Sequence, residues 1–266
     1  MLERQDQDAN GPGNGMGGNP WYGYEGTVVI NGVQMPVFSS HIGAPSPGDS
    51  KFSIVANPGP NQVTWPSTLP TVTEQAFAFC FAAGTLIRTP GGEMEVEKLK
   101  VGDEVCTTTG RLVPVRWLGK QTIFTRFGPA ERLLPVRFKQ GSLGDGIPHT
   151  DLTVTSDHAI LIDNVLCNAG ALVNGSTIAR VPLGELGDTY TVYHVETAAH
   201  NVIIANGAPA ETFIDNISRS AFDNYDEYLG TYGEQLEMTE MPFPRALSSR
   251  QLPASVKQRL HKGFAA

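Results

Sequence analysis

From residue 80 onward the apolar positions fall in short runs separated by turn residues, without long helical periods. Thr107 Thr108 Thr109 Gly110 Arg111 turns into Leu112 Val113 Pro114 Val115 Arg116 Trp117 Leu118, and Ile160 Leu161 Ile162 turns at Asp163-Asn164 into Val165 Leu166 Cys167. Strands recurring at this spacing predict an all-β domain over residues 80–214. Upstream, Gly26 to Val37 carries two β-type runs around Asn31-Gly32, a hairpin signal. Residues 26–79 are therefore read as a β-rich extension and linker, with the Pro-, Ser- and Asn-rich stretch from Pro45 to Pro70 crossing the surface. The first residues are rich in Gly, Asn and Asp, so 1–25 is expected to be a disordered tail. After Ile214 the pattern changes again. In the tail 215–266, Phe222 to Tyr228 and Ser255 to Leu260 each predict a short helix, limited by Pro242, Pro244 and Pro253. There is no internal repeat.

Composition narrows the classes of partner. A chain of 266 residues with 40% hydrophobic content can bury one sizeable core and carry appendages. Its net charge of -8 argues against nucleic acid and against anionic membrane surfaces. Without a run of 18 apolar residues, no membrane span is expected. The start, Met1 Leu2 Glu3 Arg4 Gln5 Asp6 Gln7 Asp8, lacks the basic and apolar regions of a signal peptide, which points to a cytoplasmic protein or to export without a cleaved leader. Three cysteines, an odd number, make no disulfide framework. Cys106 and Cys167 lie in apolar runs and are expected to pack as small hydrophobes. The charged run Glu93 to Lys100 reads as a solvated face, and Asp157 as a turn cap.

Cys80 stands apart. It precedes Phe81 and a small-Gly-Thr step, Ala83 Gly84 Thr85, and it is answered by Thr155 Ser156 Asp157 His158. A thiol can attack the carbonyl before it, here that of Phe79, and turn the Phe79-Cys80 amide into a thioester. The step is uphill in solution, and a fold drives it by straining the peptide, donating hydrogen bonds to the developing oxyanion and protonating the departing amine. A histidine with a pKa near 6.5 can take the thiol proton and return it to the nitrogen. His158 is the candidate, with Thr155 placed to hydrogen-bond the scissile amide. The thiolate is the reactive form, so a free cysteine needs such a partner. The bland alternatives are a buried structural thiol at Cys80 and a satisfied core histidine at His158.

Four blocks in order resemble the Hint domains shared by hedgehog autoprocessing domains and inteins, specifically their bacterial intein-like members. Cys80 Phe81 Ala82 Ala83 Gly84 Thr85 Leu86 Ile87 is similar to the first block, and Val96 to Val105 to the V-x-x-L-x-x-G-D-x-V segment. Thr155 to His158 supplies the T-x-x-H. Val192 to Glu196 and His200 Asn201 Val202 Ile203 Ile204 Ala205 Asn206 Gly207 resemble the late blocks. The resemblance implies a compact Hint fold and self-cleavage at Phe79-Cys80 through an N–S acyl shift. Where a splicing intein ends in a histidine and a cyclising asparagine, this chain has Glu211 and Thr212. Two-sided splicing is therefore not expected. His194, standing where inteins carry aspartate, and His200 are possible supporting residues. The substrate would be the chain's own N-terminal segment, and the acceptor water or an outside nucleophile. Neither cofactor nor metal is expected, because His158, His194 and His200 have no ligand-like spacing. A silent Hint-fold interaction module and a trans-acting cysteine hydrolase are the competing readings.

Overall fold

A computed structural model describes residues 21–30, 33–41, 51–54, 79–125, 134–212, 214, 219–233 and 238–262. The chain divides into two units, Met1–Ala76 and Phe77–Ala266. In the first, β1 (Trp21–Ile30), β2 (Val33–His41) and β3 (Lys51–Ile54) form an antiparallel sheet in that order. The last pair of the β1–β2 ladder is Ile30 with Val33, and the Asn31-Gly32 turn expected between them lies outside the described residues. β1 begins at Trp21, inside the stretch read as a disordered tail, and β3 lies within the stretch read as linker. The remainder of that tail and linker, within 1–20, 42–50 and 55–78, lies outside the described residues.

The second unit is mostly β. Its strands are β4 (Phe81–Ala82), β5 (Leu86–Thr89), β6 (Gly92–Glu95), β7 (Glu104–Cys106), β8 (Leu112–Phe124), β9 (Val136–Phe138), β10 (Leu152–Val154), β11 (Ala159–Ile162) and β12 (Val165–Asn168). After a single helical turn, α1 (Ala169–Leu172), come β13 (Ile178–Arg180), β14 (Thr189–Thr197), β15 (Val202–Ala205) and β16 (Ala208–Glu211). The tail adds α2 (Tyr225–Tyr232), β17 (Arg245–Ala246) and α3 (Ala254–Lys262). Two seven-stranded sheets result, ordered β13-β9-β10-β4-β14-β8-β7 and β17-β12-β11-β16-β15-β5-β6. The all-β expectation holds: among the described residues the α-helices are one turn, α1, and two short helices of the tail.

Local chemistry explains the tight connections. Asp163 and Asn164 both take positive φ, 49° and 60°, between Ile162 and Val165, which pair directly across the hairpin. Asn206 and Gly207, at 49° and 81°, do the same between Ala205 and Ala208. A two-residue turn with positive φ at both positions matches the twist of the strands it joins, and Asn, Asp and Gly are the residues that tolerate it. The core draws on both sheets: Phe81, Phe138, Leu152 and Val195 from one meet Ile87, Ile160, Cys167 and Ile203 from the other, all at 1% exposure or less. The tail contributes to that burial through Ala246, Leu252, Val256 and Leu260. On the other side Phe222 packs edge-on against Trp117, with ring centroids 5.1 Å apart. Position 119 must be glycine for this contact, since a Cβ there would lie 2.8 Å from Phe222 and 2.9 Å from Trp117.

Candidate active site

Strand register builds the site. The two-residue β4 runs between β10 and β14, pairing Phe81 with Val154 on one side and with Tyr193 on the other. Both ladders are antiparallel, so one step back along β4 brings Cys80 to Thr155 and to His194. The hydrogen bonds follow that register. The Cys80 N–H donates to Thr155 Oγ1 at 2.9 Å, and the Thr155 N–H donates to the Cys80 carbonyl at 2.9 Å. The Phe79 carbonyl oxygen accepts from His194 Nδ1 at 2.5 Å. The acceptor is a carbonyl, so Nδ1 carries the proton. Both polar atoms of the Phe79-Cys80 peptide are thus held, its nitrogen by a hydroxyl and its oxygen by an imidazole.

The Cys80 side chain is fully buried and packs with Trp117, Ile123, Val192, Phe222 and Tyr228. Removed from water, its thiol has a pKa well above the ordinary cysteine value. His158 lies on the other flank. Its ring centroid is 4.4 Å from that of Phe81, its backbone N–H donates to the Thr155 carbonyl at 3.1 Å, and the backbones of Phe79 and Glu211 lie against it. Burial lowers its pKa from 6.5 to about 4, against the pull of the Glu211 charge. Burial likewise takes His194 to about 3, opposed by its hydrogen bond to Phe79. At neutral pH the site therefore holds a protonated thiol and two neutral imidazoles.

Beneath His158 lies a buried charge network that the motif spacing gave no sign of. Glu211 Oε1 accepts from the Ala159 N–H at 2.7 Å and from Arg245 Nη1 at 3.1 Å, while Oε2 accepts from Arg245 Nη2 at 2.7 Å and from His200 at 3.1 Å. Nδ1 of His200 accepts the Met241 N–H at 3.1 Å, which places the proton on Nε2, facing Glu211. Burial alone would raise the Glu211 pKa. The hydrogen bonds from His200 and Arg245 outweigh it and hold the carboxyl at about 2. His200 therefore belongs to this network rather than to the Phe79-Cys80 peptide. A second buried pair, Arg219 to Glu196 at 2.7 Å, anchors the segment that carries Phe222. Among the described residues, no three of His, Cys, Asp or Glu gather as a metal site would require.

These pKa shifts make the fold acid-sensitive in two windows. The folded imidazoles, at about 4 and 3, lie below the ordinary 6.5, so from pH 6.5 downward the unfolded chain binds protons that the folded chain refuses. Stability falls over that range by up to about 1.4 kcal/mol per pH unit for each histidine. The Glu211 contribution is complete above its ordinary 4.5 and is lost as the pH drops toward 2. Urea midpoints are expected to decline steadily from about pH 7 to pH 4. A midpoint that stays flat down to about pH 5 would show that His158 and His194 are not buried in neutral form.

The residues gathered here fall within a matched family. Residues 79–216, just over half of the chain, match the Hint domain family. The chain belongs to that family of autoprocessing and splicing-type domains. Among solved structures, this Hint domain is similar to the MchDnaB-1 intein at 17% identity, covering 50% of this chain and 99% of that chain with a TM-score of 0.36. It is also similar to a DnaB intein from Synechocystis sp. PCC 6803, at 14% identity, coverage of 52% and 100%, and a TM-score of 0.35. A bacterial intein-like domain from Clostridium thermocellum matches at 14% identity, coverage of 50% and 98%, and a TM-score of 0.30. No curated protein matches the chain. Cys80, Thr155, His158, His194, His200 and Glu211 all lie inside the matched Hint segment, whereas Arg245 lies beyond its end.

Proposed function

We propose that this Hint domain cleaves itself between Phe79 and Cys80 by an N–S acyl shift. The observation that carries the reading is the grip on one peptide bond: Thr155 Oγ1 on its N–H and His194 Nδ1 on its carbonyl, with the Cys80 thiol one residue away. Sγ of Cys80 bonds to the Phe79 carbonyl carbon, and the C–N bond breaks. The thiol proton ends on the amine of Cys80. His194 donates to the oxygen on which negative charge develops, which is where a fixed donor accelerates acyl transfer most. His158 carries the proton from sulfur to nitrogen, with Thr155 orienting that nitrogen. The thiol pKa lies high and the imidazole pKa low, so a resting thiolate–imidazolium pair is disfavoured and proton transfer accompanies C–S bond formation.

A thioester then stands at residue 79, open to water or to an added thiol. No second cleavage follows. The position of the helper histidine in splicing relatives is Glu211, a carboxylate held ionised with both oxygens engaged, and it has no proton to give. Thr212 cannot cyclise as an asparagine does, and its hydroxyl accepts the Asn201 N–H at 2.9 Å.

Burial of the thiol favours a second reading, a Hint-fold module that no longer cleaves. Intact mass spectrometry of the purified chain incubated with dithiothreitol separates the two. Self-cleavage gives a thiol-linked fragment ending at Phe79 and a fragment beginning at Cys80. A single unchanged mass after prolonged incubation leaves the silent module.

A further inference from the structure

The geometry points to Arg245, contributed by the tail, as the residue that selects the side chain before the scissile bond, with a preference for an aromatic ring at position 79. This rests on the self-cleavage reading above and adds to it a substrate subsite. The Arg245 guanidinium lies over the Phe79 ring, its Cζ 5.5 Å from the ring centroid. Phe79 is buried, at 9% exposure, and the Arg245 side chain is 14% exposed, so the contact is largely out of water.

The donors of Arg245 are all committed to other partners. Nε donates to Glu240 at 3.0 Å, Nη2 to Glu240 at 2.9 Å and to Glu211 at 2.7 Å, and Nη1 to Glu211 at 3.1 Å and Asn168 at 3.4 Å. These bonds engage all the N–H groups that a guanidinium possesses. What remains is the flat face of a delocalised cation, which stacks on an aromatic ring better than on an aliphatic chain. The backbone fixes this platform too. β17 lies parallel to β12 with Arg245 opposite Leu166, and the Leu166 N–H donates to the Pro244 carbonyl at 2.9 Å. A ring seated there holds the Phe79 carbonyl in line with His194, so the subsite governs how often the scissile peptide is presented correctly.

The test replaces Phe79 by phenylalanines of increasing fluorination, ending in pentafluorophenylalanine. Size and apolarity stay nearly constant while the negative charge on the ring face is drained. The readout is the first-order rate of dithiothreitol-triggered release. A cation partly neutralised by two carboxylates supports an expected loss of about 2- to 5-fold across the series, graded with fluorine number. In Arg245→Gln the ratio of the Phe79 rate to the pentafluoro rate is expected to return to one. Should that variant fail to fold, the graded series in the unaltered Arg245 chain still decides. Rates indifferent to fluorination, with release still dependent on Cys80, overturn the subsite and leave self-cleavage standing. Absence of Cys80-dependent release from the unmodified chain overturns both.

Discussion

Cys80→Ala is expected to leave one full-length mass with or without dithiothreitol, while the unsubstituted chain yields two fragments. The effect is all-or-none because the alanine offers no atom to attack the Phe79 carbonyl, and an unassisted amide does not hydrolyse on the timescale of incubation. Alanine fills most of the thiol's place among Trp117, Ile123, Val192, Phe222 and Tyr228. The expected stability cost of the lost sulfur contacts is about 1 kcal/mol, too little to unfold a domain of this size. A loss of cleavage in this variant therefore reports chemistry rather than collapse. Cys106→Ser and Cys167→Ser serve as controls. Neither residue flanks the Phe79-Cys80 peptide, so neither thiol is placed to attack the Phe79 carbonyl. Both are expected to release at the unsubstituted rate. Equal loss in all three variants would remove Cys80 from the role of nucleophile. The added thiol has a separate use: it exchanges onto a thioester but not onto an amide, so faster release in its presence identifies the intermediate.

What the sequence disclosed about this site was what lies close in sequence. Thr155 and His158 share one turn, and their spacing alone marks them as a unit. Asp163-Asn164 announces its hairpin because few other residues accept positive φ at both positions. The contact of His194 with Phe79 was not legible, because it spans 115 positions and depends on the β4–β14 register. β4 itself is two residues long and carries no periodicity to read. Glu211 and Arg245 escaped for a related reason. They lie 34 positions apart, and β17 is a two-residue strand directly after Pro244, a residue that argues against a strand in most settings. In the extension, the Gly-rich composition of the first residues concealed the start of a strand that Trp21, Tyr22 and Tyr24 support by propensity. Where chemistry depended on ladder register, the one-dimensional pattern supplied the residue types without their meeting.

His194→Ala is expected to slow the thiol-triggered release by about 10²–10³, the usual cost of removing one oxyanion donor from a buried acyl-transfer site. The size follows from where the bond is made. A neutral imidazole donating to an amide oxygen contributes modestly in the ground state, and far more once that oxygen carries charge in a water-excluded pocket. Bulk alone does not account for such a loss, and the conservative replacements show why. Asn places a neutral N–H near the position of Nδ1 and is expected to recover a large part of the rate. Asp places an ionised oxygen there, which repels the developing oxyanion, and is expected to fall with Ala or below it. A rank order of His, Asn, Ala and Asp in falling rate would establish hydrogen-bond donation to the Phe79 carbonyl as the contribution of this residue. Equal rates for Asn and Asp would overturn that role, because the two are nearly the same shape and differ in whether they donate. The pH profile supplies an independent discrimination. His194 is held neutral down to about pH 3, so an oxyanion donor acting in that form gives the unsubstituted chain no inflection near 6.5 from this residue. A clear loss of rate on acidification through 6.5 that vanishes in His194→Asn would mean that the imidazole exchanges protons during the reaction, and its task would then be proton transfer rather than donation to the carbonyl.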